Sequence, residues 1–191
     1  MSASPHPPTL ADEFSRLREQ TEALWSSKEL DRGIYGFQFQ RGTRWNPGLS
    51  AGEIDAYERE LGVRFPAILC VMLSMMNGTD LPTINIYGSS GINPKESVGV
   101  LSFPRDLEHA RELMAILEED RAEVADVLGE QGFSLEPADA LVPIYIHRYL
   151  VCRPNAPDGP VLSICGTDAI VYGADLLTYL RIEFLKNARQ S

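Results

Sequence analysis

Few residues of this chain have the types and spacing that bond-breaking chemistry needs. A nucleophilic cysteine requires a nearby base, and no spacing in the sequence indicates one for Cys70, which lies in an apolar run. The stretch from Gly88 to Gly91 (GSSG) lacks the spacing of a serine nucleophile elbow, and no helical pattern follows it, so we interpret it as a loop. We therefore predict no catalytic residue, no metal site and no cofactor, and we expect that the protein is not an enzyme.

Three polar motifs have both a functional and a structural interpretation. The adjacent pair His147 and Arg148 is suited to anchoring a partner, but a role in connecting two strands is favoured. Asp168 follows Gly166 and Thr167, which favours a turn-capping role over that of a functional carboxylate. The segment 77–79 (NGT) matches a glycosylation sequon, but its Asn-Gly pair is typical of a helix C-terminus, which is the favoured interpretation.

The strongest candidate for partner contact is a cluster of five acidic residues: Glu118, Glu119, Asp120, Glu123 and Asp126. On a helix that begins near residue 119, Glu119, Glu123 and Asp126 share one face at i, i+4 and i+7. A surface of one charge sign accelerates encounter with a basic partner. A solvated face without a partner has comparable weight, and the spacing does not match a calcium loop.

The acidity of the chain is concentrated around this cluster. Residues 105–139 contain 11 acidic side chains and three arginines, a net charge of −8, whereas the remainder contains 16 acidic and 14 basic side chains, a net charge of −2. The total of −10 repels nucleic-acid phosphates and anionic membrane surfaces. We therefore expect neither direct nucleic-acid binding nor membrane binding, and a basic protein partner fits best. Acidic helices that only keep the protein soluble are the simpler alternative.

Length and composition indicate one globular domain. The chain has 191 residues, of which 44% are hydrophobic, and no apolar run approaches the roughly 20 residues that span a bilayer. The first ten residues (MSASPHPPTL) have neither a basic start nor an apolar core, so they do not resemble a secretory signal. The three cysteines lie in apolar runs without a close pair, which favours buried thiols in a reducing, cytoplasmic setting.

The N-terminal half shows clear helix boundaries. Thr9 and Asp12 begin a helix over residues 10–25, and Ser50 with Glu53 forms a capping box at the start of a second helix that ends at Gly62. An apolar helix follows from Pro66 to Met76 and ends at Asn77-Gly78. Alternation predicts strands after Gly36 and over 83–87, whereas 41–48 and 88–95 are predicted loops.

The C-terminal half predicts helices followed by strands and a last helix. A strand over 98–103 precedes a helix from Pro104, whose apolar stripe contains Leu107 and Leu117, and an acidic helix follows over 120–128. Strands are predicted at 141–146, 148–152, 161–165 and 169–172, with residues 166–168 as a three-residue hairpin turn, and Asp175 caps the closing helix. This order predicts an α+β domain rather than regular βαβ alternation.

Together these elements resemble the SUKH superfamily, which includes the yeast cell-wall synthesis regulator and many bacterial immunity proteins. The resemblance rests on two groups of residues in order. The first is Ile54, Glu58, Leu61, Gly62, Phe65 and Pro66, followed by Asn77-Gly78. The second is 142–144 (VPI), 147–149 (HRY), 161–163 (VLS), 168–173 (DAIVYG), Tyr179-Leu180 and Glu183-Phe184. At one position the pattern differs, because Ile146 stands where a small residue is expected, which argues against a tight turn before His147.

The resemblance implies a single α+β domain with a curved, mixed or antiparallel sheet wrapped by helices. It covers residues 45–187, so we divide the chain into a disordered tail (1–8), an N-terminal helix and strand extension (9–44) and the SUKH-like domain (45–187). It further implies a cytoplasmic protein that neutralises a cognate toxin, often a nuclease, by masking its active site. The alternatives are a regulatory scaffold of the cell-wall synthesis type and an enzyme or small-ligand binder, and the last would need a concave pocket with converging polar groups.

Overall fold

The computed structural model describes residues 7–86 and 95–186 and confirms the α+β class. Helices and strands follow one another in this order: α1 (Leu10–Ser27), β1 (Gly36–Phe39), β2 (Trp45–Pro47), α2 (Ala51–Leu61), α3 (Ala67–Met75), β3 (Met76–Thr79), β4 (Thr83–Ile86), β5 (Lys95–Ser97), α4 (Leu107–Glu119), α5 (Arg121–Glu130), β6 (Ala140–Tyr145), β7 (Arg148–Cys152), β8 (Val161–Cys165), β9 (Asp168–Gly173), α6 (Leu176–Arg181) and a π-helical turn (Ile182–Lys186).

Four of the predicted helix caps are present. Thr9 and Asp12 form a capping box at the start of α1, and Ser50 and Glu53 form the one predicted for α2. Helix α2 ends at Gly62, which adopts φ 67° and donates its backbone N–H to the Glu58 and Arg59 carbonyls. Asp175 caps α6 by accepting from the Thr178 backbone N–H. Short-range hydrogen bonds therefore fix these boundaries.

All pairings between the described strands are antiparallel. The largest sheet has the order β6-β7-β8-β9, a second has the order β1-β4-β5, and β2 and β3 form a two-stranded ribbon. Val100 forms a single bridge with Tyr145, which links the segment before α4 to the edge strand β6. The hairpin between β8 and β9 has two turn residues, because Asp168 already pairs with Cys165, so the predicted three-residue turn was wrong.

Two segments near the apolar helix α3 differ from the prediction. Trp45–Pro47, predicted as loop, is strand β2 and pairs with Met76–Thr79, so Asn77-Gly78 lies in strand β3 rather than in a helix cap. The Asn77 side chain is buried and exchanges two hydrogen bonds with the Phe103 backbone, of 2.6 and 2.9 Å. It thereby satisfies the peptide groups of a non-strand segment, which is a long-range contact that local sequence does not reveal.

The segment before α4 also differs. Within the predicted strand 98–103, only Val100 forms a β-bridge. The regular strand of this region is β5, which precedes the predicted strand in the sequence. Helix α4 begins at Leu107 after a turn, not at Pro104. The predicted strand 83–87 is observed as Thr83–Ile86, and Tyr87 lies outside the described residues, as does the predicted GSSG loop.

The four-stranded sheet is covered on both faces, except along its edge strand β9, where Ile170 and Val171 are exposed. One face packs into the main core with α1, α2 and α3, and the other packs against α4 and α5. Alternation along β7 divides the side chains accordingly: Tyr149 and Val151 point to α4 and α5, whereas Leu150 and Cys152 point to the main core. This two-sided burial explains why the strands read as nearly continuous apolar runs.

Phe184 occupies the centre of an aromatic cluster in the main core. Its ring lies 5.2–6.2 Å, between centroids, from five others: Phe39, Tyr145, Trp45, Trp25 and Tyr179. Trp25 also stacks on Phe39 at 4.3 Å. These rings come from α1, β1, β2, β6, α6 and the π-helical turn, so the cluster joins the two ends of the described chain.

Replacement of Phe184 by Ala should lower the free energy of unfolding by about 3–5 kcal/mol, because it leaves a cavity among rings that cannot collapse into it. Chemical denaturation of the variant measures this change. Ile116→Ala, at an exposed position of α4, is the control and should change the free energy by no more than about 0.5 kcal/mol. Similar losses for both variants would contradict the central role of Phe184.

Candidate functional site

The acidic cluster lies where α4 meets α5. Asp120 has φ −94° and ψ 4°, so it ends α4 and precedes α5. The predicted arrangement of Glu119, Glu123 and Asp126 on one helical face is therefore wrong, since Glu119 closes α4 and the other two belong to α5. The physical reason is the packing of each helix on a different strand, α4 on β6 and α5 on β9, which requires a change of axis.

The members of the cluster are nevertheless accessible. Glu118, Glu119, Glu123 and Asp126 are exposed, and Asp120 is partly exposed. Glu118 approaches Arg121 at 3.5 Å, but Arg121 is itself held by the Glu136 and Asp139 carbonyls at 2.8 and 2.6 Å. Arg121 therefore anchors the start of α5 to the connector before β6, and it offsets only part of the local negative charge.

Other acidic residues of the segment 105–139 have structural roles. Asp139 is buried, where it accepts from the Glu136 backbone at 3.1 Å and pairs with Arg153 at 3.2 Å. Asp106 accepts from the Ser102 backbone at 2.8 Å and pairs with Arg105. The high acidity of this segment therefore combines two fold-stabilising carboxylates with a larger exposed set.

Ile116 lies within this exposed acidic surface. Its side chain is 60% exposed, and Glu112, four residues earlier on α4, has a side chain that is 73% exposed. Glu112, Ile116 and Glu119 share one face of α4 at i, i+4 and i+7. Ile116 was not among the site residues predicted from the sequence, although its position off the buried stripe of α4, which contains Ala110 and Leu117, distinguishes it from the core residues.

A second candidate site is a cavity of about 370 Å³ beside the aromatic cluster. It lies between the end of α1, the segment leading into β1, the β6–β7 turn, β9 and the π-helical turn. Its lining consists of aromatic and polar side chains and two aliphatic ones: Trp25, Lys28, Ile34, Tyr35, Phe37, Gln38, Phe39, Tyr145, Ile146, His147, Arg148, Tyr172, Glu183 and Phe184. This volume lies in the range of small-molecule sites. The structure thus contains the concave pocket that the third sequence hypothesis requires.

Arg148 dominates the polar side of the cavity. Its guanidinium lies 4.1 Å from the Tyr172 ring centroid and donates from Nη1 to Ser163 Oγ at 2.6 Å. Its Nε lies 3.5 Å from Glu183 Oε2, and both atoms are buried without a hydrogen-bond partner among the described residues. A charge-assisted hydrogen bond between arginine and a carboxylate is normally about 2.7–2.9 Å long. At 3.5 Å, Arg148 and Glu183 form an ion pair without a hydrogen bond between these two atoms.

The β6–β7 turn places His147 in the cavity wall. Tyr145 pairs with Arg148, so the turn consists of Ile146 and His147, and Ile146 adopts φ 53°. The tight turn that Ile146 argued against is therefore present, in a conformation that costs a β-branched residue about 1–3 kcal/mol. Burial, and then the positive charge of Arg148, lowers the pKa of His147 to about 4, so its imidazole is neutral at pH 7.

The remaining candidates do not form a reactive site. Asp168 is exposed at the start of β9 and is a strand residue rather than a turn cap. Burial raises the pKa of the Cys70 thiol, and burial raises that of Cys152 to about 12, so neither is activated as a nucleophile. Cys165 is exposed, which contradicts the prediction that all three thiols are buried. Within residues 7–86 and 95–186 no three His, Cys, Asp or Glu side chains are placed to hold a metal ion.

Comparison with models of known protein families and with curated proteins gives no match for this chain. The SUKH resemblance therefore remains a prediction. In the described part of the chain, no helix has the length and apolar character that crossing a membrane requires.

The protonation of His147 can be measured directly. In an NMR pH titration its ring signals should titrate near pH 4, below the ordinary pKa of 6.5. As the pH falls, His147 of the unfolded chain takes up a proton near pH 6.5, before His147 of the folded chain does. The free energy of unfolding should therefore be unaffected by His147 above pH 6.5 and decrease as the pH falls from 6.5 toward 4. The half-buried position makes this loss small. His147→Gln assigns the signals and should reduce the loss, whereas titration near pH 6.5 would contradict the burial of the ring.

Proposed function

We propose that the protein is a cytoplasmic, non-enzymatic binding module that neutralises a basic toxin domain, such as a nuclease, by covering its active site. The acidic surface at the α4–α5 junction, formed by Glu112, Ile116, Glu118, Glu119, Asp120, Glu123 and Asp126, makes the contact. The observation that carries this proposal is the exposed Ile116 among exposed carboxylates. The resemblance to immunity proteins of the SUKH superfamily supports the same function.

An apolar side chain among carboxylates favours an interface over a merely solvated face. A face that serves solubility gains nothing from a large aliphatic side chain that is 60% exposed. Protein interfaces, in contrast, combine a small apolar centre with a charged rim. The carboxylates would accelerate encounter with the cationic residues that a nuclease uses to hold phosphate, and burial of Ile116 would slow dissociation.

The fold holds this surface in place before any partner arrives. Leu117, Val124 and Leu128 anchor α4 and α5 in the second core, and Arg121 fixes the start of α5. Binding therefore would not have to order these helices, which reduces its entropic cost.

Co-purification with the protein encoded by the adjacent gene, followed by an inhibition assay with both purified proteins, tests the function. Stoichiometric inhibition of a nuclease or other toxin activity is the expected result. If the neighbouring protein is not a toxin, or if it binds without loss of its activity, the proposal is wrong.

Reversal of three carboxylates (Glu119→Lys, Glu123→Lys and Asp126→Lys) should slow association with that toxin about tenfold or more at low salt, with a smaller effect at high salt. Stopped-flow or surface-based kinetics measures the rates. The matched control reverses three exposed carboxylates elsewhere (Glu19→Lys, Asp55→Lys and Asp168→Lys) and changes the net charge equally. Equal slowing by both variants would mean that total charge acts and that the α4–α5 junction does not.

Ile116→Ala should leave association nearly unchanged and increase the dissociation rate about fivefold to tenfold, corresponding to a loss of about 1 kcal/mol or more at a central contact. The same kinetic assay measures both rates. Val171→Ala, at an exposed apolar residue of β9, serves as the control. An unchanged dissociation rate for Ile116→Ala would remove this residue from the interface.

A further inference from the structure

We propose that the cavity beside the β6–β7 turn is a binding site for a small, planar, uncharged ligand with an adjacent N–H donor and C=O acceptor, that is, a lactam such as a nucleobase or nucleoside. Arg148 donates a hydrogen bond to the ligand C=O, Glu183 accepts one from the ligand N–H, and the aromatic side chains of the lining pack against the planar ring. This site lies apart from the acidic α4–α5 junction and does not depend on the function proposed for that surface.

The shape and lining of the cavity favour a flat ring. Phe37, Tyr145, His147 and Tyr172 are among the cyclic side chains that line it, and the volume of about 370 Å³ holds a nucleoside-sized molecule. Aromatic side chains bind planar heterocycles such as nucleobases by stacking, and this stacking depends little on which base is bound. The lining therefore selects a planar molecule, and the polar groups must select its chemistry.

The Arg148–Glu183 pair presents a donor beside an acceptor. Nη1 of Arg148 donates to Ser163 Oγ, and Nε lies 3.5 Å from Glu183 Oε2, with both of these atoms buried. Among the described residues, no hydrogen bond involves Nη2 of Arg148 or Oε1 of Glu183, and 12% and 17% of the two side chains are accessible. A ligand C=O that accepts from the guanidinium beside an N–H that donates to the carboxylate fits both groups at once.

The charges of the lining argue against an ionic ligand. Arg148 and Glu183 offset each other, so a ligand anion would face the carboxylate and a ligand cation would face the guanidinium. Lys28, the other cation of the lining, is opposed by Asp31, and His147 is neutral at pH 7. A neutral molecule with both a donor and an acceptor avoids these repulsions.

The arrangement is fixed before a ligand binds. Tyr172 stacks on the guanidinium and Ser163 accepts from Nη1, so two contacts fix the orientation of Arg148. The strained backbone at Ile146 belongs to the two-residue turn that positions His147 in the cavity wall, and Ile146 itself packs against the main core. A buried ion pair that served stability alone would gain little over an apolar pair, whereas a preorganised donor and acceptor serve binding.

Calorimetry or NMR titration of the full chain with uridine and guanosine tests this site. At least one nucleoside should bind with one-to-one stoichiometry. Its N-methylated analogue (3-methyluridine or 1-methylguanosine), which lacks the N–H donor, should bind about tenfold more weakly or worse, since the carboxylate loses its partner. Absence of binding by both nucleosides at millimolar concentration, or equal binding of the methylated analogues, would overturn the proposal.

Two variants connect the binding to the proposed pair. Arg148→Lys keeps the charge but removes the planar fork, so binding should fall about tenfold or more. Arg153→Lys is the matched control, because Arg153 also faces an aromatic ring (Phe133, at 5.3 Å) and pairs with a carboxylate, but it does not line the cavity. The double variant Arg148→Met, Glu183→Leu leaves no unpaired charge, so it should fold, which thermal unfolding would verify. It should not bind the nucleoside. Binding retained by a folded Arg148→Lys or double variant would also overturn the proposal.

Discussion

The packing of aromatic rings around Phe184 is the constraint on which most of the structure depends. Because these rings come from both ends of the described chain, α1 and β1 are part of the same core as the C-terminal π-helical turn. Aromatic pairs add roughly 0.5–1.5 kcal/mol each beyond area burial, so the cluster holds distant segments together. It also forms the floor of the cavity, so the shape of that site follows directly from core packing.

The four-stranded sheet separates two surfaces with different chemistry. On its main-core side, the β6–β7 turn and β9 bring Arg148 and Tyr172 to the cavity. On the other side, α4 and α5 carry the exposed carboxylates and Ile116. One sheet thus supports an exposed acidic surface and a pocket that contains the Arg148–Glu183 ion pair, each held by its own hydrophobic core.

Features set by neighbouring residues could be predicted from the sequence. The capping box at Ser50 and Glu53, the left-handed Gly62 and the apolar strands predicted at 141–146 and 148–152 depend on local hydrogen bonding and periodicity. Features that need distant partners could not. Strand β2 forms only because β3 lies beside it, and the helix break at Asp120 follows from packing on two different strands. Arg148 and Glu183 are 35 residues apart in the sequence and meet only through the tertiary fold. The cavity was missed for the same reason, since its lining comes from five separate segments.

The buried Asn77 side chain has a consequence for the chemical ageing of the protein. Asn-Gly is the sequence at which asparagine deamidates most readily, because the glycine peptide nitrogen attacks the side-chain carbonyl carbon with little steric hindrance. In the folded chain both ends of the Asn77 amide are bonded to Phe103, and Gly78 lies tightly against the Val100 and Leu101 carbonyls. The reacting groups cannot rotate into the cyclic intermediate without breaking these contacts. Conversion to aspartate should therefore require local opening, and it would then place a carboxylate against the Phe103 carbonyl and hinder refolding.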